Sequence, residues 1–512
     1  MYKKVVNNLS KKYNFSNLLK YLVPLIICFG IFVRLSQYFS NRALWGDEAS
    51  LALNIVNRSY LELLQPLDRN QAAPPGFLWI EKLFTQILGN NEYALRLFPL
   101  ISGIVSLIAF YKLGKWAVSA LALPIALILF ACLKYTLYYA TEVKQYSSDV
   151  MISLLICLLL IPLREQILNI RRILLIGICG GVAIWFSHPI IFVLAGIEAA
   201  NLILTPAQQR KSILINRLPA YFIWLISFGF MYFLTIARVM QNNNLQNAWG
   251  DEYPKSIFDV LWLLDSFGRF FYRPLGFSAI FDGIAILVFV IGCVFFIKKK
   301  PDKFLILISP VLATLAASYL HKYPFRGRLI LFLAPFFILV IAEGIAFLLT
   351  RFKHSKYQKY FVIAGVILAS LLIVPSFVRA GTFVFSPETK HEIRPVIEYI
   401  QKNQLPGDGI YIGDGGPADQ FEYYAGKYGY SQSDYARGYL SELLSADKFS
   451  EEGWQQFKSQ SEQLKNKQRV WFVLPGLNPK KEVLVQPHLD RIGKKLDYFS
   501  QPGALTYLYE LK

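Results

Sequence analysis

Cysteine is scarce in this chain. Cys28, Cys132, Cys157, Cys179 and Cys293 are the whole supply, and all five fall inside apolar runs. None has the spacing of a disulfide framework or a metal knuckle, so they read as membrane-core residues. Charge is thin as well: 17% of residues are charged, against a hydrophobic share of 54% and a positive mean hydropathy. That balance excludes an ordinary soluble protein. No glycine-rich nucleotide fingerprint occurs, so a nucleotide-sugar donor has no cradle. No convincing internal repeat is seen either, which argues against a transporter built from two related halves.

What the chain does have is long apolar runs. Runs of roughly 17–25 residues read as membrane-spanning helices. About eleven occur, near 21–39, 96–113, 116–133, 147–163, 172–187, 189–204, 218–238, 278–297, 304–320, 329–349 and 358–378. The stretch from Ile173 to Leu204 is too long for one span. Ser187-His188-Pro189 is where it turns, because proline lacks an N–H and disfavours helix before it. The first run has basic residues before it but no small-residue cleavage pattern after it, so it reads as a retained helix.

Charge sets the expected orientation. With the N-terminus in the cytoplasm, the loops on that side hold 21 basic residues, including Lys3, Lys4, Lys11, Lys12, Lys298, Lys299, Lys300, Arg351, Lys353 and Lys356. Only Glu165 and Asp302 oppose them, and the difference equals the whole formal net charge of +19. This is the positive-inside pattern, so the basic balance reports topology and not nucleic-acid binding. The expected location is the inner (plasma) membrane, multi-pass. An odd number of spans then places loop 40–95, segment 134–146, loops 239–277 and 321–328, and the carboxyl end outside.

The candidate chemistry gathers on that side. Asp47 and Glu48 form a carboxylate pair just past the first span, able in principle to hold a divalent ion through hard oxygens. The long loop that follows reads as two amphipathic helices on the outer leaflet, Glu48–Leu64 and Phe77–Leu88, broken at Gln71-Ala72-Ala73-Pro74-Pro75-Gly76. Glu142, Lys144, Tyr146 and Asp149 stand at the mouth of the next spans, and ionisable groups at membrane depth are site candidates by default. His321-Lys322-Tyr323-Pro324-Phe325-Arg326-Gly327-Arg328 is dense in basic groups for an outside loop. Arg326 and Arg328 give planar bidentate contacts to phosphate, and Gly327 lets backbone approach. His188 is a further candidate substrate contact. Trp249-Gly250-Asp251-Glu252 repeats the string around Asp47, so that string is not specific by itself.

From residue 379 the composition changes to 17 basic and 17 acidic residues with no membrane-length run. Helices near 388–403 and 417–427 and strands near 409–413, 469–474 and 504–511 make a small soluble α/β domain over 379–512. The preceding residues, 1–378, form the membrane domain.

Outside carboxylates, a basic phosphate-like site and membrane walls suit a polyprenyl-phosphate-linked sugar, whose tail lies in the bilayer. Transfer needs a base for the acceptor hydroxyl, negative charge near an oxocarbenium-like centre and cations for the departing phosphate. Asp47 fits the base, with Glu48 as support, and Arg328, Arg326 and Lys144 fit the phosphate. The acceptor is a glycan, lipid or protein hydroxyl, and a single displacement inverts the anomeric centre.

The chain resembles the GT-C superfamily of membrane glycosyltransferases, in the family 39-like group that includes protein O-mannosyltransferases, the aminoarabinose transferases for lipid A and the Rgt-type transferases. The likeness runs over residues 20–350. It rests on Gly46-Asp47-Glu48-Ala49, Pro74-Pro75-Gly76, Gly89 with Arg96-Leu97 and Pro99, Glu142-Val143-Lys144-Gln145-Tyr146, and Gly327-Arg328-Leu329 with Pro335. The resemblance implies about eleven transmembrane helices in a GT-C fold, Asp47 as catalytic base and a polyprenyl-phosphate-linked donor. Two positions depart from the pattern. Many relatives carry His before the paired prolines, where this chain has Gln71-Ala72-Ala73, and Arg-Tyr where it has Arg328-Leu329. The rival readings are a secondary transporter, a polymerase or ligase of lipid-linked glycans, and a non-catalytic scaffold.

Overall fold

The computed structural model describes residues 15–241, 250, 252–278, 280–350, 357–413, 416–438, 455, 457, 459, 464, 467–476 and 479–512. Trp249 and Asp251 of the second Trp-Gly-Asp-Glu string lie outside them, as do Lys3, Lys4, Lys11, Lys12, Arg351, Lys353 and Lys356 of the expected cytoplasmic set.

Among the described residues, eight helices are long and apolar enough to cross a membrane, or nine if the bent pair Ala122–Cys132 and Lys134–Thr141 is one span. The two other expected spans are helices too, but shorter: Ile170–Phe186 has 17 residues and Ile190–Leu204 has 15. They meet at the turn expected at Ser187-His188-Pro189. The protein is therefore a multi-pass membrane protein with a helical bundle.

The bundle is built around Gly327–Thr350, whose apolar window is 94% buried, against 17% for Gln358–Phe385. Its neighbour Ile280–Lys299 packs on it backbone to backbone. A Cβ at Gly292 would stand 2.1 Å from the Val340 carbonyl oxygen, and one at Gly344 2.2 Å from that of Val288. Small residues permit the close crossing that van der Waals packing in a membrane needs. The bend of 59° at Leu133 interrupts a helix and frees carbonyls. Buried Arg34 donates to the carbonyls of Ala131 and Thr136, both at 3.4 Å, so the break carries its own hydrogen-bond donor.

The loops separate into two sets. At one end Arg164 pairs with Asp302 at 3.1 Å, and Glu343 accepts from Ser119 N at 2.7 Å. At the other end Arg42 donates to Thr141 O at 2.6 Å, and Arg379 donates to Gly276 O at 2.9 Å. The second set carries the C-terminal sheet domain.

That domain holds a five-stranded sheet in the order β2-β1-β3-β5-β4. β1 (Gly409–Gly413) runs parallel to β2 (Ala436–Gly438) and β3 (Arg469–Pro475). β5 (Ala504–Leu511) is antiparallel to β3 and to β4 (Gly493–Gln501). β1, β3 and β5 stand where the apolar patterns predict them. β2, β4 and the helix Pro479–Ile492 do not follow from those patterns. β4 is an edge strand with Lys494 and Lys495 exposed, which hides its period but protects an open edge.

The first loop differs from the expectation. Its first helix ends at Asn57, with a separate turn at Glu62–Leu64, and the second starts at Pro75. The Gly46–Asn57 helix does not present one wet face. It is buried nearly all round, because the Gly416–Ala425 helix of the sheet domain packs on it. A single apolar core joins Leu44, Leu51, Phe77 and Leu95 to Ile397, Phe421 and Trp471. Polar ties seal the contact: Leu44 N donates to the Tyr424 hydroxyl at 2.8 Å, Gln420 Nε2 to Leu44 O at 2.7 Å, and Arg69 pairs with Asp419 and Glu422.

Candidate active site

The site begins at one helix start. Trp45 is extended at the N-cap, and Glu48 reaches back to its N–H at 3.4 Å. Carboxylates in a first turn are favoured by the helix dipole. Successive helical residues point about 100° apart, so Asp47 and Glu48 diverge into different surroundings.

Asp47 meets cations. Lys144 Nζ donates to Oδ1 at 3.0 Å and Arg328 Nη1 to Oδ2 at 2.6 Å. Gln71 bridges them: its Nε2 donates to Asp47 Oδ1 at 3.2 Å, and its Oε1 accepts from Lys144 at 2.6 Å. The Arg328 guanidinium lies over the Tyr146 ring, 5.5 Å from its centroid. Burial pushes the Asp47 carboxyl up, but the Lys144 ammonium and Arg328 guanidinium outweigh it and hold the group well below the usual carboxylate range. Burial lowers the Lys144 ammonium, with Asp47 opposing the fall. The side chains of Asp47 and Arg328 remain 19% and 25% exposed, so a substrate can reach them.

Glu48 is fully buried and turned elsewhere. Arg96 grips it with two bonds, Nε to Oε1 at 3.1 Å and Nη2 to Oε2 at 2.7 Å, and Val143 N adds a third at 2.9 Å. Burial raises this carboxyl, while Arg96 and Arg42 bring it below its ordinary value. The pair fastens the Asp47 helix to the Glu92–Ala117 span.

Glu142 stands between these groups and the sheet domain. It is buried, its Oε1 accepts from Trp45 Nε1 at 2.8 Å, and its Oε2 has no partner among the described residues. Burial raises its carboxyl, and Lys390 opposes the rise. Pro75 opens the helix Pro75–Leu88, and the neighbouring Gly76 touches the Phe186 ring.

Two predicted residues stand apart from Asp47. Arg326 pairs with Glu252 and, at 2.9 Å, with Asp265. It ties the 252–265 stretch to the bundle. His188 sits at its turn with Nε2 buried and without a partner among the described residues, and burial lowers its ring to about 4.

Arg273 and Lys390 are not among the sequence candidates, and Gln71 enters there only as a departure from the family pattern. Arg273 lies over Tyr135 at 5.3 Å and donates to the Tyr139 hydroxyl at 3.4 Å, beside the Arg328 loop. A proline-broken helix at Phe271–Leu275 carries it, and only the Arg-Pro pair hinted at an irregular turn. As a divalent-metal site, Asp47 and Glu48 do not fit. Their oxygens face different cations, and no group of three or more His, Cys, Asp or Glu able to hold a metal occurs among the described residues.

The profile of the family described as dolichyl-phosphate-mannose-protein mannosyltransferase matches residues 72–236. ArnT from Cupriavidus metallidurans in the apo state shares the fold, with a TM-score of 0.51 at 11% identity over 95% of this chain and 98% of that one. The same protein bound to undecaprenyl phosphate gives 0.52 at 12% identity over the same shares. No curated protein matches the sequence significantly. The family match is confined to residues 72–236, while the shared GT-C-like fold runs over nearly the whole chain, so the chain is similar to membrane glycosyltransferases in fold and, over that stretch, in sequence.

Proposed function

We propose that the protein transfers a sugar from a polyprenyl-phosphate-linked donor to an acceptor hydroxyl on the outer side of the membrane, with inversion at the anomeric carbon. The observation that carries this reading is the pairing of Asp47 with both buried Lys144 and partly exposed Arg328. In this reading the carboxylate is the base and the two cations bind phosphate, so base and phosphate site lie within hydrogen-bond reach of each other. The solved complex of ArnT with undecaprenyl phosphate supports the lipid class, and the positive-inside distribution supports the side.

In this reading Arg328 and Lys144 hold the donor phosphate, with Arg273 beside them and Tyr146 supporting the Arg328 plane. A phosphate seated there competes with Asp47 for its two cations, so donor binding restores basicity to Asp47. The acceptor oxygen bonds to the anomeric carbon as its proton passes to Asp47. The bond from that carbon to the phosphate oxygen breaks, and the lipid phosphate departs with its new charge held by the cations. Glu48 acts through Arg96 as a positioning residue, Glu142 stands beside the donor sugar, Pro75 starts a wall helix, Arg326 holds a loop, and His188 stays apart at its turn. Residues 1–378 carry the reaction and residues 379–512 close over it.

The test is mass spectrometry of surface glycans and lipid-linked sugars from cells lacking the gene. We expect one polyprenyl-phosphate sugar to accumulate and one glycan to lose one residue, with rescue by wild type and not by Arg328→Ala. Unchanged glycans and lipid pools would refute the reading.

A further inference from the structure

A strap of chain between the last span and the sheet crosses the site. Glu388 pairs with Lys134 at 2.9 Å, which ties the strap to the bundle. On the other side Glu392 N donates to Pro502 O at 2.9 Å, and Glu392 Oε2 accepts from Ala43 N at 3.1 Å. Gly503 lies so close that a Cβ there would stand 1.7 Å from the Lys390 carbonyl oxygen. The strap is clamped between the loop preceding the Asp47 helix and the β4–β5 turn, so the Lys390 backbone has a fixed place.

Its side chain reaches into the site. Lys390 Nζ lies over the Trp45 indole, 3.3 Å from the ring centroid, and 4.8 Å from that of Tyr138. Glu142 Oε1 is 4.0 Å away, too far for a hydrogen bond. Among the described residues, nothing accepts from its three N–H groups. Beside it the buried Glu142 Oε2 is an acceptor with no donor among the described residues. An ammonium that donates no hydrogen bond and an underused carboxylate offer one donor and one acceptor for sugar hydroxyls, and the indole face becomes a flat apolar surface for ring C–H groups once the ammonium swings off it to a hydroxyl. Trp45 is two residues before Asp47, and Arg328 and Lys144 mark the phosphate end. In the donor reading, a sugar on a phosphate held by those two cations extends toward Trp45.

We infer that Lys390, delivered by the strap from the C-terminal domain, is a binding residue for the sugar ring of the lipid-linked donor, working with Trp45 and Glu142. The inference rests on the donor reading above. It gives the sheet domain a direct part in choosing the sugar. Lys390 contacts the sugar and not the phosphate, so its loss is felt only when a sugar is present.

The experiment uses the full-length protein in detergent, with binding read by thermophoresis. The probes are undecaprenyl phosphate and a panel of undecaprenyl-phosphate hexoses and pentoses. Lys390→Met keeps an unbranched side chain and removes the charge, and its melting temperature is checked against wild type. We expect Lys390→Met to weaken the best sugar-bearing lipid by about tenfold or more and to leave undecaprenyl phosphate within about twofold of wild type. Arg328→Ala weakens both. Equal weakening of both ligands by Lys390→Met, or no weakening of either, overturns the inference alone. Wild-type protein that binds no lipid phosphate overturns the donor reading and this inference with it.

Discussion

Arg328 and Asp47 stand 281 residues apart in the chain and meet at 2.6 Å. With Lys144 on the other oxygen, the carboxylate is held below its ordinary value, so its ion-pair stabilisation is present above the unfolded carboxylate pKa of about 3.9 and lost only as pH falls through the lower folded value. With Asp47 as the base, the acid limb of kcat/KM should therefore lie below the usual carboxylate range. Lys144→Met removes one cation, and the limb then moves to higher pH. The pH profile of kcat/KM for the two proteins checks this, and an unmoved limb would count against Asp47 as the titrating group.

The Glu48–Arg96 pair makes a different prediction. Both side chains are buried, and removing one partner leaves an uncompensated charge. Arg96→Met should destabilise by about 3–5 kcal/mol, read as a lower melting temperature in detergent. The double variant Glu48→Met, Arg96→Met should recover much of that loss. A double variant as unstable as the single one would mean the span packs through something other than this pair.

Gly46 and Gly416 touch where the Asp47 helix meets the sheet domain, but not symmetrically. A Cβ on Gly46 would stand 2.9 Å from the Gly416 backbone, whereas one on Gly416 would be 3.5 Å from Gly46 Cα, an ordinary contact. Gly46→Ala should cost about 1–3 kcal/mol through forced separation and lower activity. Gly416→Ala should sit near wild type in both. Thermal unfolding and turnover of the two variants test the asymmetry.

Much of the bundle was legible because a membrane enforces long apolar runs, and each expected span is a helix even where Ile190–Leu204 falls short of full length. The domain strands with clustered Val, Phe and Tyr were legible for the same reason, while polar β4 was not. Asp47, Lys144 and Arg328 could be grouped by shared side alone, and they do meet. Glu48 and Arg326 could not be sorted that way. Their partners, Arg96 and the Glu252–Asp265 stretch, are set by packing between distant segments. One signal was available for Glu48: adjacent helical positions do not share a face. Lys390 carried no signal, since only the fold brings residue 390 to residue 45.

The central claim is that Asp47 is the base for transfer from a lipid-linked sugar. The most direct measurement is turnover and undecaprenyl phosphate binding by purified Asp47→Asn. Loss of a general base lowers the rate by about 10²–10⁴-fold, and freeing Lys144 and Arg328 should leave lipid-phosphate affinity equal to wild type or tighter. Turnover within about tenfold of wild type, with the lipid bound normally, would contradict the claim.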